Sequence, residues 1–160
     1  MPVHMIHGDL MQATESIIGH QVNCQSVMGS GVAKQIRSRF PVVYTEYLRF
    51  CRDHPNNLLG RCQLVRIDPG TEKYVANLFG QLYYGFDGKK YTNDDALRNA
   101  LSELYAFAKS NQYSVALPYK IGCDRGGGDW DMVSKMIDGI FTDVDVTLYQ
   151  FIPGSGSSGR

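Results

Sequence analysis

The sequence predicts an α/β layered domain, and three observations carry that expectation. Strand-like stretches alternate with stretches whose apolar residues recur at helical spacing, which suits a sheet covered by helices rather than a bundle or a sandwich. Two glycine-rich segments, "MGSG" at 28–31 and "GCDRGGG" at 122–128, each fall between a strand-like and a helix-like stretch. A length of 160 residues with 43% hydrophobic content suits one domain with a real core.

The elements follow in chain order. "PVHMIHG" reads as a first strand ending at Gly8, and "IIGHQVNC" as a second, with a turn and a short helical turn at "GDLMQAT" between them. From Val32 onward, Val32, Ala33, Ile36 and Phe40 share one helical face, while Lys34, Arg37 and Arg39 lie elsewhere. Pro41 fits the first turn of a new helix, continued by Val43, Tyr47, Phe50 and Cys51 and stopped by "DHPNN". "GRCQLVRI" and "KYVANLFG" are strands joined by the turn-forming "DPGTE". The glycine- and tyrosine-rich "GQLYYGFDGKKYTND" has no clear period and reads as a loop. Asp94 and Asp95 then open a helix whose stripe is Leu97, Leu101, Leu104 and Ala108. "YSVALPY" is a buried strand, the second glycine loop follows it, and a helix turns Trp130, Val133, Ile137 and Ile140 inward. "DVTLYQF" is the last strand. No repeat is present. Residues 1–152 are expected to form one domain, and "PGSGSSGR" at 153–160 a flexible tail or cloning remnant.

Composition narrows the function. Sixteen basic and sixteen acidic residues leave no net charge, so no global field draws in nucleic acid or an anionic membrane. A general nucleic-acid-binding module would need a basic face that this balance does not suggest. No apolar run reaches the ~18 residues of a membrane span, and the N-terminus lacks the basic-then-apolar pattern of a secretory signal. Cys24, Cys51, Cys62 and Cys123 are dispersed without a C-x-x-C pair, which predicts reduced thiols and a cytoplasmic protein. His4 and His7 of "HMIH" fall three apart in a strand and point to opposite faces, so no metal site is expected.

The glycine loops carry the chemistry. At a helix start several backbone N–H groups lack an intrahelical partner, and the helix dipole adds partial positive charge. Glycine permits positive φ and lets a phosphate approach the backbone closely. Two such loops beside the ends of parallel strands could embrace a diphosphate. The P-loop spacing and the Rossmann fingerprint are both absent, so a nucleotide site here is of another kind. Either loop alone is also compatible with a plain tight turn.

"HGDL" after the first strand, "VNC" at the end of the second, "MGSGVAKQIRSRFP" running into a helix, and "LPYKIGCDRGGGDW" together resemble a macro domain over roughly residues 2–151. The short link from Asn23 to the glycines and the later "NNLLGRC" are most similar to the ADP-ribose 1''-phosphatase branch. They also resemble the branch that removes ADP-ribose from acidic side chains and from DNA bases. The resemblance implies a three-layer α/β/α fold with a central mixed sheet that binds ADP-ribose.

Carried over by residue, Asp9 would accept from the adenine amino group, with Gly8 and Leu10 alongside. Gly29, Ser30, Gly31 and Val32 would line the diphosphate and distal ribose. Ile121, Gly122, Cys123, Asp124, Arg125 and Gly126 would form the opposite phosphate loop. Asn23 would lie near the distal ribose, and Tyr149 or Phe151 near the adenine. Plainer roles exist for several of these: Asp9 as a turn cap, Asn23 as a partner for local backbone, Phe151 as closure of the sheet edge, Cys123 as wall. Trp130 reads as core.

The resemblance also has breaks. Some glycohydrolases of this branch use a lysine just after the strand equivalent to "YVANLF", where this chain has Gln81; Lys89 and Lys90 come eight or more residues later. The acidic partner in those enzymes matches Gly126, with Asp124 two residues earlier. The expected chemistry is therefore hydrolysis by positioning, with Asn23 and Asp124 as catalytic residues orienting a water. Its substrate would be ADP-ribose 1''-phosphate or a modified target, with no cofactor and no metal. The alternative is a non-catalytic ADP-ribose reader. Expected partners are ADP-ribose or an ADP-ribosylated molecule, with nucleic acid only where it is so modified, no membrane, and a monomeric state.

Overall fold

The computed structural model describes residues 3–152; the expected tail at 153–160 lies outside the described residues. Six strands run in the order β1-β6-β5-β2-β4-β3. They are β1 Val3–His7, β2 Ile17–Val22, β3 Cys62–Arg66, β4 Tyr74–Phe79, β5 Val115–Pro118 and β6 Val146–Gln150. All neighbours pair in parallel except β3 with β4, so the sheet is mixed.

Strand alternation divides the apolar residues between two faces. Ile17, Ala76, Leu78, Val115 and Leu117 join one core, beneath α3 (Asp94–Asn111) and α4 (Trp130–Ile140). Ile18, Val22, Val75, Phe79 and Ala116 join the other, beneath α1 (Gly31–Arg39) and α2 (Pro41–Asp53). The result is the expected three layers.

Helix boundaries follow the local chemistry. Pro41 sits in the first turn of α2, and Asn93 caps α3 by accepting from the Ala96 N–H at 2.9 Å, ahead of Asp94 and Asp95. The α3 stripe is fully buried, and the helix ends at Gln112 in the left-handed region. Trp130 is only half-buried, its ring edge-on to Tyr119 at 5.2 Å. His4 and His7 are exposed, and among the described residues no group of His, Cys, Asp or Glu is placed to hold a metal. No described helix is long and apolar enough to cross a membrane.

The topology makes a crevice. From β2 the chain passes to α1 on one face of the sheet; from the adjacent β5 it passes to α4 on the other. The loops leaving the two parallel strands therefore diverge at their C-terminal ends, which is where an open α/β sheet offers a binding site.

Candidate functional site

A cleft of about 270 Å³ opens at that divergence. One wall is the first glycine loop and the start of α1, Gly29 to Ala33; the opposite wall is the second loop, including Ile121, Gly122 and Asp124 to Gly126. A third wall comes from the loop after β4, with Gln81, Tyr84, Gly85 and Phe86.

The first wall presents a helix start to the cleft. Ser30 occupies the cap position of α1 in extended conformation, but its hydroxyl makes no cap hydrogen bond. The first backbone bond of the turn is Lys34 N–H to Ser30 O at 3.2 Å, which leaves the N–H groups of Gly31, Val32 and Ala33 ahead of it. Gly31 has φ +59°, and an added Cβ there would meet nothing within 4 Å.

Asn23 holds this loop in shape. Its Nδ2 donates to Val27 O at 2.9 Å, and its Oδ1 accepts from Gln25 N–H at 2.9 Å and lies 3.0 Å from the Tyr47 hydroxyl. Tyr47 also donates to Asn23 O at 2.7 Å and accepts from Val27 N–H at 3.2 Å. Asn23 lines the cleft, yet most of its polar capacity is used on its own backbone.

The second wall is built differently. Asp129 caps α4 by accepting from Asp131 N–H at 3.0 Å, so this helix does not offer an open N-terminus. The loop folds on itself instead: Gly128 N–H donates to Gly122 O at 2.9 Å, and Gly127 N–H to Asp124 O at 3.2 Å. Asp124 is exposed on the cleft wall. The Arg125 guanidinium lies 4.6 Å from the centre of the Phe86 ring, across the cleft mouth. Cys123 does not line the cleft; its Sγ donates to Ile121 O at 3.4 Å. Burial, helped by Asp129 and Asp94, pushes its thiol up to about 11, which denies it nucleophilic character at neutral pH.

The remaining predicted residues sit beyond the cleft, at the ends of β1 and β6. Asp9 accepts from Met11 N–H at 2.9 Å and caps a short 3-10 turn at Leu10–Gln12; Leu10 is core. The Tyr149 ring covers Gly8, and its hydroxyl donates to Glu15 at 2.6 Å. Phe151 is exposed. This corner joins the cleft through Tyr119, whose N–H donates to Tyr149 O at 2.9 Å.

Sequence reading missed the polar floor. His20, near the end of β2, is 1% exposed and lies 2.6 Å from Asn77 Oδ1 through its Nε2. Asn77 Nδ2 donates to Gln63 Oε1 at 3.0 Å, and Gln63 Nε2 to Glu46 O at 3.0 Å. That chain of amides runs one way only, so His20 Nε2 carries the proton and Nδ1 is an acceptor. Nδ1 is buried without a protein partner, and the residue lines the cleft. Burial outweighs the Asn77 bond and lowers the imidazole to about 4, so it is neutral at physiological pH. Beside it, Gln21 Nε2 donates to Gln81 Oε1 at 2.7 Å and to Thr92 Oγ1 at 2.9 Å, and Thr92 donates to Gly122 O at 2.6 Å.

The macro domain family model matches residues 20–137. This chain is a member of the macro domain family. It is 30% identical over 157 residues to a DNA ADP-ribosyl glycohydrolase of Mycobacterium tuberculosis, covering 94% of this chain and 42% of that protein. It is 32% identical over 111 residues to an ADP-ribose 1''-phosphate phosphatase of Meyerozyma guilliermondii, covering 61% of this chain and 62% of the phosphatase. The chain thus spans less than two thirds of the length of either relative. Among solved structures, the macrodomain of Mycobacterium tuberculosis DarG superposes with a TM-score of 0.80 at 26% identity, covering 92% of this chain and 96% of that one.

Two features of this macro domain bear on its chemistry. Gln81 bridges Gln21 and Tyr83 O, donating to the latter at 2.7 Å, and offers no amine to the cleft. A Cβ on Gly126 would come within 2.4 Å of Thr92 Oγ1 and 2.7 Å of Gly122 O. No acid can stand there without rebuilding the loop.

Proposed function

We propose that this macro domain binds ADP-ribose in the cleft and hydrolyses an ADP-ribose derivative at the distal ribose. The observation that carries the reading is the uncapped start of α1 facing a second glycine loop across a cleft at the strand ends. Such a start supplies backbone donors and a favourable dipole for a diphosphate. The names of the two relatives point the same way.

In this reading Gly29, Ser30, Gly31 and Val32 bind the diphosphate on one side, and Ile121, Gly122, Arg125 and Gly126 on the other, with Cys123 behind them. Asp9, Gly8, Leu10, Tyr149 and Phe151 form the adenine corner. Asn23 shapes the wall around the distal ribose. Asp124, the only carboxylate inside either glycine loop, orients a water, and the bare His20 Nδ1 accepts from a sugar hydroxyl or that water at the floor. No lysine adduct forms through Gln81. A non-catalytic reader is the second reading, favoured by the commitment of Asn23 to its own loop.

Calorimetric titration with ADP-ribose tests the first half, with a micromolar constant expected, worth about 8 kcal/mol. A panel of the 1''-phosphate, an acetylated ester, glutamate-linked protein and modified DNA tests the second half. Heat without turnover of any of them would leave the reader.

A further inference from the structure

The two edges of the sheet are built differently. The β3 edge is guarded: the Cys62 N–H donates to Glu103 at 2.9 Å, Gln63 is buried and bonded to Glu46 O of α2, and Arg66 closes the strand with an exposed charge. The β1 edge has no such device. Four of its five residues, His4 to His7, are exposed, Met5 at 51% on one face of the sheet and Ile6 at 43% on the other. Among the described residues β1 pairs with β6 alone, and no charged side chain occurs from Val3 to Gly8. Native edges are ordinarily blunted by lysine, proline, a bulge or a cover, because a bare row of N–H and C=O groups is a template for another strand.

The register of the bare row can be read from the ladder. In a parallel pair each residue turns its N–H and C=O to the same side, and that side alternates along the strand. Gly8 N–H donates to Gln150 O at 3.0 Å, so Ile6 and His4 also face β6, while Val3, Met5 and His7 face outward. This outward row is symmetric about Met5. A second copy laid antiparallel across a two-fold axis there sets Met5 opposite the copy's Met5 and Val3 opposite the copy's His7. Each opposed pair then exchanges both backbone bonds, about six in all. Any other register leaves part of the row unpaired. The side chains agree: thioether lies beside thioether, Val3 beside imidazole, and Ile6 beside the copy's His4 on the other face, with no carboxylate, lysine or arginine set against its like. A net charge of zero puts no general repulsion between copies.

We propose that the chain self-associates through β1, joining two six-stranded sheets into one across a two-fold axis at Met5, in place of the monomer expected from the sequence. Five-residue strands meeting edge to edge bury less than the roughly 1,200 Å² of a standard stable complex, so the dimer is weak and concentration-dependent. Antiparallel pairing points the C-terminal ends of the two parallel ladders in opposite directions, so each cleft stays open. The inference is independent of what those clefts bind.

Analytical ultracentrifugation of the full chain tests the association, which should pass from monomer to dimer below about 1 mM. Amide hydrogen exchange tests the register. The Met5 and His7 N–H groups should gain about 10-fold or more protection as chain concentration rises, whereas those of His4 and Ile6, already bonded to β6, should change little. Met5→Lys sets two ammonium groups against each other at the axis and should weaken the dimer at least about 10-fold, with the circular dichroism and melting of the dilute monomer unchanged. A monomer at every concentration overturns the proposal, and so does a dimer indifferent to Met5→Lys. Met5 and His7 amides already protected in the dilute monomer overturn it too, since the edge would then be covered from within the chain.

Discussion

The two glycine loops look alike in sequence and differ in construction. In the first, Gly31 turns through φ +59° into open space and hands the chain to a helix with a bare start. In the second, α4 is capped by its own Asp129, and a Cβ added at Gly126 or Gly128 would come within 2.7 Å of Gly122 O. Glycine leaves open space in one loop and makes room for close packing in the other. The difference separates an open surface from a brace that holds its shape.

The largest expected effect attacks the open loop. Gly31→Glu puts a carboxylate into the space a diphosphate would fill, and should abolish ADP-ribose heat, a loss of most of about 8 kcal/mol. The open space around Gly31 lets the helix behind it form, so circular dichroism should stay near wild type. Retained binding would refute the assignment of the phosphates to α1. Next in size is Asp124→Ala, which removes an exposed wall carboxylate while sparing the folded loop around it. Turnover should fall about 10²- to 10⁴-fold with ADP-ribose affinity nearly intact. Full activity on every substrate of the panel would move the role to His20 or Asn23.

Much of this was legible before any fold. Each strand and helix follows from local periodicity and capping, and the glycine loops were recognisable from their place between them. The polar floor was not, because its meaning is non-local. His20 finds Asn77 57 positions away, and Gln21 finds Thr92 71 positions away. Only strand order brings them together. The capping of α4 by Asp129 was readable in "GGGDW", and it corrects the expectation that both loops would offer a helix start. The aromatic loop at 80–94 reads correctly as loop, but its membership of the cleft depends on where β4 ends.

The floor adds a residue that titrates. His20 bonds Asn77 and changes charge with pH, whereas Gln21 and Thr92, which brace the second loop through Gly122 O, do not. Folding lowers the His20 imidazole from 6.5 to about 4, so the unfolded chain binds the extra proton between those values. Stability from this residue is therefore present above pH 6.5 and lost as pH falls toward 4, by about 3 kcal/mol in all. Urea melts across that window should show the slope in wild type and a shallower one in His20→Gln. Equal slopes would place the acid sensitivity elsewhere.

The smallest effect is the most direct test of the brace. A methyl on Gly126 would sit 2.4 Å from Thr92 Oγ1 and 2.7 Å from Gly122 O. Neither neighbour can yield cheaply: one is backbone, and the other is fixed by bonds to Gly122 O at 2.6 Å and Gln21 Nε2 at 2.9 Å. Gly126→Ala should therefore cost about 1 to 3 kcal/mol of stability, as overpacking does. Gly31→Ala meets no atom but must hold a left-handed φ, at roughly 1 to 2 kcal/mol. Gly29→Ala, whose nearest neighbour is Val27 Cγ1 at 3.5 Å, should stay within about 0.5 kcal/mol. Chemical denaturation of the three variants ranks them directly. If Gly29→Ala proved as damaging as Gly126→Ala, the first loop would be a packed brace as well, and its glycines would no longer mark a ligand.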